Sequence, residues 1–260
     1  MKIFPGTRSF LFRCRHLFRG VPVALQGEPF RLDESLRRWD LDSECAFQRA
    51  LREHLRPGDV VFDIGANFGM HSLYAARLVS TAGRVYAFEP IPANLRLLHC
   101  HLRLNRLEDR VTVVPKAVSD SREPFLEMYL PAEPLAVTAS LRPASGSAAV
   151  TRVPNVRLDD FACADAPRLR CVKIDVEGAE LEVVRGAANL LRRTRPLLLI
   201  EVHGFALPHF GASVEQLRSF LADLGYSEKV LEAPQFRGQE YYQSLFQPCA
   251  ATGGGPRGSA

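Results

Sequence analysis

From Val60 to Leu224 the sequence alternates short apolar runs with longer helical stretches, and this alternation constrains the fold more than any other feature. Val60-Val61-Phe62-Asp63-Ile64 leads into a glycine-bearing loop and a helix through Met70 to Leu78. Arg84 to Phe88 reads as a second strand, and Pro92 opens a long helix that carries Leu95, Leu98 and Leu102 and ends near Asn105. Val111 to Val114 reads as a third strand running on towards Val118. Cys171 to Asp175 is a fourth, a helix from Glu180 to Leu191 follows, and Leu197 to Val202 is a fifth. Val214 to Leu224 is a further helix, closed by Gly225 where a left-handed residue is expected. Strands separated by helices pair in parallel, because a crossover of that length returns the chain to the same end of the sheet. The pattern predicts an α/β fold, a doubly wound and mostly parallel sheet with helices on both faces.

The flanks do not keep this rhythm. Residues 1–45 read as an N-terminal cap, in which Val21 to Leu32 is broken by Pro22, Gly27 and Pro29 into a hairpin or an irregular segment. Cys45 to Leu55 is an amphipathic helix with Phe47, Ala50, Leu51 and Leu55 on one side, stopped by Pro57-Gly58. The main domain is placed at 46–250, with an insertion at about 121–168 where Pro124, Pro131, Pro134, Pro143, Pro154 and Pro167 punctuate the chain. That insertion is expected to hold a hairpin at Phe125 to Leu130, a mobile stretch at Ala144 to Ala148, and a position framing the substrate. The glycine-rich tail 251–260 is expected to be disordered.

A chain of 260 residues with 47% apolar and 24% charged residues suits one soluble α/β domain with additions. A net charge of +4 is too small to indicate a nucleic-acid partner. The six cysteines are scattered without a C-x-x-C pair, so free thiols and a cytoplasmic location are expected. His99, Cys100 and His101 are too close in sequence to share a helix face, and no metal site is assigned there. His209, Cys171 and Trp39 are read as packing residues. No apolar run approaches the roughly 20 residues of a membrane span. Ser9 to Phe18, interrupted by Arg13 and Arg15, fits a helix packed on the main domain better than a basic segment lying on an anionic membrane.

The chemistry gathers at strand ends. In Asp63-Ile64-Gly65-Ala66-Asn67-Phe68-Gly69 the glycines let a ligand approach the main chain at the sheet's C-terminal edge. The acid ahead of them suits a ligand bearing an ammonium group, as in S-adenosylmethionine, better than a pyrophosphate. A dinucleotide fingerprint would require glycine at 65, 67 and 70, and the chain has Gly65, Asn67 and Met70. Glu89, in Tyr86-Ala87-Phe88-Glu89-Pro90, is positioned to accept hydrogen bonds from ribose hydroxyls, with Pro90 and Pro92 stiffening the turn and Asn94 beginning the next helix. Ala117-Val118-Ser119-Asp120 can wrap an adenine with Asp120 facing its amino group, although an Asx turn explains Asp120 as well. In Lys173-Ile174-Asp175-Val176-Glu177-Gly178-Ala179-Glu180 the period of two sets Lys173, Asp175 and Glu177 on one face. A buried parallel strand is normally apolar throughout, so these polar residues need a reason. Glu180 reads as structural, at the first turn of its helix. His203, after Glu201, is a candidate proton acceptor or a histidine bonded to neighbouring loops.

With those residues quoted, the stretch from Leu51 to Gly204 resembles the FkbM family of methyltransferases. The likeness rests on Val61 to Gly69, Phe88-Glu89-Pro90, Ala117 to Asp120, and Lys173 to Glu180 with Glu201 following. It implies a Rossmann-like class I methyltransferase fold, S-adenosylmethionine as donor, and O-methylation of a sugar, glycan or polyketide-type hydroxyl. By the same likeness Asp63, Gly65, Asn67 and Gly69 line the methionine side of the donor, and Glu89 the ribose; Ala66, Pro90 and Asn94 are counted among the donor-binding residues beside them. Asn67 departs from the glycine of the general methyltransferase loop. Methyl transfer from a sulfonium mainly requires alignment and exclusion of water, helped by a base near the attacking oxygen. Asp175, Glu177 and His203 are the expected candidates for that base. A divalent cation on the acceptor hydroxyls is not part of the expected site. A nicotinamide-dependent oxidoreductase and a non-catalytic S-adenosylmethionine-binding module stand as the alternatives.

Overall fold

A computed structural model describes residues 20–36, 45–131, 139–142, 147–161, 163–233 and 240–249. Ser9 to Phe18, Trp39, residues 143–146 and the tail 251–260 lie outside the described residues.

The chain opens with a hairpin of β1 (Val21–Leu25) and β2 (Glu28–Leu32), joined at Gln26-Gly27 with both residues at positive φ. Helix α1 (Cys45–His54) follows and buries Phe47, Ala50 and Leu51 as its periodicity predicts. The alternating core is β3 (Val60–Ile64), α2 (Met70–Val79), β4 (Arg84–Phe88), α3 (Pro92–Asn105) and β5 (Val111–Val114). An accessory sheet comes next, made of β6 (Ala117–Val118), β7 (Phe125–Pro131) and β8 (Ser147–Val156). The core resumes with β9 (Leu169–Ile174), α4 (Glu180–Gly186), α5 (Ala188–Thr194), β10 (Leu197–His203) and α6 (Val214–Asp223), and closes with β11 (Tyr226–Glu232) and β12 (Tyr241–Pro248).

The main sheet has seven strands in the order β11-β12-β10-β9-β3-β4-β5. Its β5, β4, β3, β9 and β10 pair in parallel, as the alternation requires, while β12 runs antiparallel to both neighbours. Strand order reverses between β3 and β9, which is where doubly wound folds open a crevice for ligands. Period-two alternation sends Phe62, Ile64, Val172, Ile174, Leu198 and Ile200 to one face under α4, α5 and α6, where they meet Leu181, Leu190 and Leu217. Val61, Cys171, Leu197 and Leu199 go to the other face against Phe47, Leu73, Tyr74 and Leu98 from α1, α2 and α3. The buried apolar layers on both faces confirm the doubly wound α/β class.

The structure revises several element boundaries. The third strand does not continue to Val118: the chain leaves the main sheet after Val114, and Ala117–Val118 pairs with Asn155 and Val156 of β8. Phe125–Pro131 forms no local hairpin but pairs across the insertion with β8. Helix 180–191 is broken in two at Ala187, and Gly186 beside the break packs so closely on the Ser119 carbonyl that no side chain fits there. The antiparallel edge β11–β12 was not anticipated, although Tyr241 to Phe246 carries the aromatic and apolar residues of a strand. No helix among the described residues is long and apolar enough to cross a membrane.

Candidate active site

The polar strand ends meet because of the sheet's register. Asp63 on β3 lies directly across from Lys173 on β9, and Lys173 lies across from Leu199 on β10. Carried two and four residues further, that register brings Glu201 and His203 to the ends occupied by Asp175 and Glu177. The Lys173 ammonium donates to the Gly65 carbonyl at 2.9 Å and to Asp175 Oδ2 at 3.2 Å, and stands 3.4 Å from Asp63 Oδ1. Ser72 Oγ donates to Asp63 Oδ2 at 2.5 Å. Asp63 is only 1% exposed. Its expected place facing a ligand's ammonium is therefore corrected: its ion partner is Lys173, and it supports the loop from beneath.

Above Asp63 the loop takes three left-handed residues, Gly65 (φ 74°), Asn67 (φ 51°) and Gly69 (φ 92°). The positive φ explains Asn67 where other methyltransferase loops carry glycine, since asparagine tolerates this conformation better than most side chains. At Gly65 an added Cβ would lie 1.9 Å from the Asp175 carbonyl, so only glycine fits. Gly69 caps α2, and Ala66 is buried behind the loop. Glu89 ties this loop to the next one. Its Oε2 accepts the Asn67 N–H at 2.9 Å, and its Oε1 accepts the Ile91 N–H at 2.8 Å and the Asn94 amide at 3.3 Å. Burial raises the Glu89 pKa to about 7 against the pull of those donors.

A cleft opens over the switch point. Gly65, Asn67, Glu89, Pro90 and Asn94 line one side, with Ala117 and Val118 beyond them. Asp175, Val176 and Glu177 line the other side, while Met128, Ala139 and Leu141 from the insertion also border the space. Asp63, Ala66, Gly69, Asp120 and His203 do not line it, and Asp120 instead packs where α4 ends at Gly186. Sequence reasoning missed Lys116, Met128 and Leu141. Lys116 is detectable from its position directly before Ala117, whereas nothing local marks Leu141.

Below the cleft, His203 is 4% exposed and Glu180 fully buried. Glu180 Oε1 accepts from His203 Nδ1 at 2.9 Å and from the Gly178 N–H at 2.9 Å, which makes Glu180 a positioning residue. His203 Nε2 stands 3.7 Å from Glu177 Oε2 and 4.0 Å from Asp175 Oδ1. Burial pulls the His203 pKa down, but the Glu180 hydrogen bond and the charges of Glu177, Glu180 and Asp175 outweigh it and lift the value to about 10. Burial raises Glu177 to about 7, the imidazole opposing that shift and the neighbouring Asp175 and Glu180 adding to it. His203 does not line the cleft itself: it stands behind Asp175 and Glu177, with Nε2 turned towards both carboxylates. Histidines 99 and 101 diverge as their spacing predicts: His99 is exposed, and His101 is buried between the Phe68 carbonyl at 2.7 Å and the Asp33 N–H at 3.0 Å. Cys171 is buried as expected, but His209 is exposed and packs nothing.

Comparison with known proteins bears on this geometry. The methyltransferase FkbM domain matches residues 63–228. Hexuronic acid methyltransferase AglP of Haloferax volcanii is 31% identical over 66% of this chain and 67% of its own. The 31-O-demethyl-FK506 methyltransferase FkbM of Streptomyces tacrolimicus is 28% identical over 73% of this chain and 80% of its own. Among solved structures, a methyltransferase FkbM from Methylobacillus flagellatus superposes with a TM-score of 0.51 at 18% identity, covering 78% of this chain and 51% of that one. This chain therefore spans about half the length of that protein. An S-adenosylmethionine-dependent O-methyltransferase from Thermotoga maritima superposes with a TM-score of 0.51 at 12% identity, over 90% of this chain and 80% of that one. The two superpositions bear on the fold alone.

Proposed function

The chain belongs to the FkbM family of S-adenosylmethionine-dependent methyltransferases, and from that premise we propose that it methylates a hydroxyl oxygen on a sugar-type acceptor. The observation that carries this reading is a single cleft with donor-loop residues on one wall and two carboxylates, Asp175 and Glu177, on the other. The donor suits the first wall. Asn67 Oδ1 is a buried acceptor without a hydrogen-bond partner, available to an ammonium, and Gly65 lines the same wall of the cleft. Glu89 would take the ribose hydroxyls, with Pro90, Asn94, Ala117 and Val118 around the nucleoside. When bound, S-adenosylmethionine supplies a methyl carbon on a positively charged sulfur, which departs as a neutral thioether.

The remaining work falls to the chain. Asp175 and Glu177 orient the acceptor hydroxyl and receive its proton as the oxygen–carbon bond forms and the carbon–sulfur bond breaks. Met128 and Leu141 keep water from the reacting atoms. The names of the two curated relatives support an oxygen acceptor, one specifying a hexuronic acid and the other a 31-O-demethyl substrate. The test is single-turnover transfer of labelled methyl to a panel of neutral and uronic-acid saccharides. A methyl ether on at least one is expected, with the rate reduced about 10²–10⁴-fold in Asp175→Asn or Glu177→Gln. Transfer to amines alone, or undiminished rates in both variants, would overturn the proposal.

A further inference from the structure

We infer that Asp175, Glu177 and His203 form a divalent-cation site at the acceptor end of the cleft. The inference rests on the O-methylation reading and adds to it the means of gripping the acceptor. Each of the three residues offers one ligand atom, and those atoms lie within 4.8 Å of one another. The observation that points to a ligand is His203. It is 96% buried by its 4% exposure, and its Nδ1 is spent on Glu180. Its Nε2 points between the two carboxylates at 3.7 and 4.0 Å, beyond hydrogen-bond length from either. A carboxylate that fixes one imidazole nitrogen while the other faces open ligand positions is the usual outer support of a metal-bound histidine, and an ion bound there takes the place of the Nε2 proton, which is released to solvent.

The carboxylates are arranged to match. Lys173 occupies Asp175 Oδ2, which leaves Oδ1 facing the imidazole. Adjacent ligands of an octahedral ion stand about 3 Å apart, so the imidazole at 3.7 and 4.0 Å from the two carboxylates needs to close on them by up to about an ångström. Charge favours the same occupant, since Asp63 and Asp175 share Lys173 while Asp175, Glu177 and Glu180 gather about His203, four carboxyl groups against one lysine and one imidazole. Asp175 and Glu177 also line the cleft, so a cation held there keeps positions open for acceptor oxygens. Two carboxylates with one imidazole suit Mn²⁺ or a similar divalent ion better than Ca²⁺.

The experiment titrates Mn²⁺ alone into the full chain and follows loss of the free-ion electron paramagnetic resonance signal, with and without S-adenosylhomocysteine. One ion per chain is expected, bound at least about 10-fold more weakly in Glu177→Gln and in His203→Gln, and less weakened in Glu180→Gln. No binding up to about 1 mM, or binding unchanged in Glu177→Gln, would overturn the inference. Glu177 is half-buried on a loop, so that variant decides the matter even where His203→Gln fails to fold. Calorimetry of S-adenosylhomocysteine with the metal-free wild type separates the two readings. Binding without Mn²⁺ uptake leaves the methyltransferase proposal standing and removes the metal; absence of both removes the cleft assignment itself.

Discussion

Replacing Lys173 by methionine keeps the length of the side chain and removes its charge, and the structure sets the size of the effect. The ammonium is 3% exposed and serves three oxygens: the Gly65 carbonyl at 2.9 Å, Asp175 at 3.2 Å and Asp63 at 3.4 Å. A hydrogen bond to a charged group contributes about 1.5–3 kcal/mol, and stripping one partner from a buried ion pair costs about 3–5 kcal/mol. These describe overlapping parts of one loss, so Lys173→Met is expected to cost about 3–5 kcal/mol in total. In urea, with a slope near 3 kcal/mol per molar, the unfolding midpoint should fall by roughly 1–1.7 M. Adding Asp63→Asn removes the stranded carboxylate, and the double variant should recover about 1–3 kcal/mol relative to the sum of the single losses. Moderate salt should leave the difference intact, because the Lys173 and Asp63 side chains are only 3% and 2% exposed. A loss under about 1 kcal/mol, or strict additivity in the cycle, would refute the claim that this lysine neutralises the sheet's polar centre.

Two further expectations concern pH. Glu89 with a pKa of about 7 is ionised at pH 8 and largely protonated at pH 6. If the carboxylate accepts the ribose hydroxyls, S-adenosylhomocysteine affinity should fall about tenfold from pH 8 to pH 6 by calorimetry, and Glu89→Gln should bind weakly at both. Equal wild-type affinity at the two pH values would contradict that role. For the free protein the same group acts in the opposite sense, since a raised pKa stabilises the fold below the ordinary value of 4.5 and that share is lost as pH rises through about 7. His101 behaves differently: burial holds its pKa below 6.5, and its bonds to the Phe68 carbonyl and the Asp33 N–H require the neutral ring. Its contribution is present above pH 6.5 and lost as pH falls through the depressed folded value, so amide exchange at Asp33 should quicken on acidification in the wild type and show no such step in His101→Gln.

Much of this was readable from the sequence for a physical reason. A strand buried on both faces has little use for charge, so Asp63, Lys173, Asp175 and Glu201 stand out against Val61, Val172 and Ile200, and the helices between them force the strands parallel. The accessory sheet was not readable, because β7 and β8 pair across residues whose prolines suggest only irregular chain, and pairing of distant segments leaves no local period. The antiparallel edge was likewise missed. Tyr241, whose hydroxyl bonds Glu201, sits in a run that periodicity cannot separate from loop.

The instructive error is Asp63. A strand-end acid next to a glycine loop implies a ligand only when no cation of the protein reaches it, and that condition depends on which strand lies beside it. Asp63 has Lys173 as its cross-strand partner because β9 crosses to the far side of β3 after the insertion, and no spacing in the chain encodes that return. Glu177 shows the reverse. It sits past the end of β9 at a left-handed φ of 53°, where its carboxylate lines the cleft instead of pairing within the sheet. Acids of similar appearance in the sequence therefore divide into one that is paired within the sheet and one that lines the cleft. The separating physical quantity is the position of Lys173, the one buried lysine among the described residues, which stands 3.4 Å from Asp63 and donates to the Gly65 carbonyl and to Asp175.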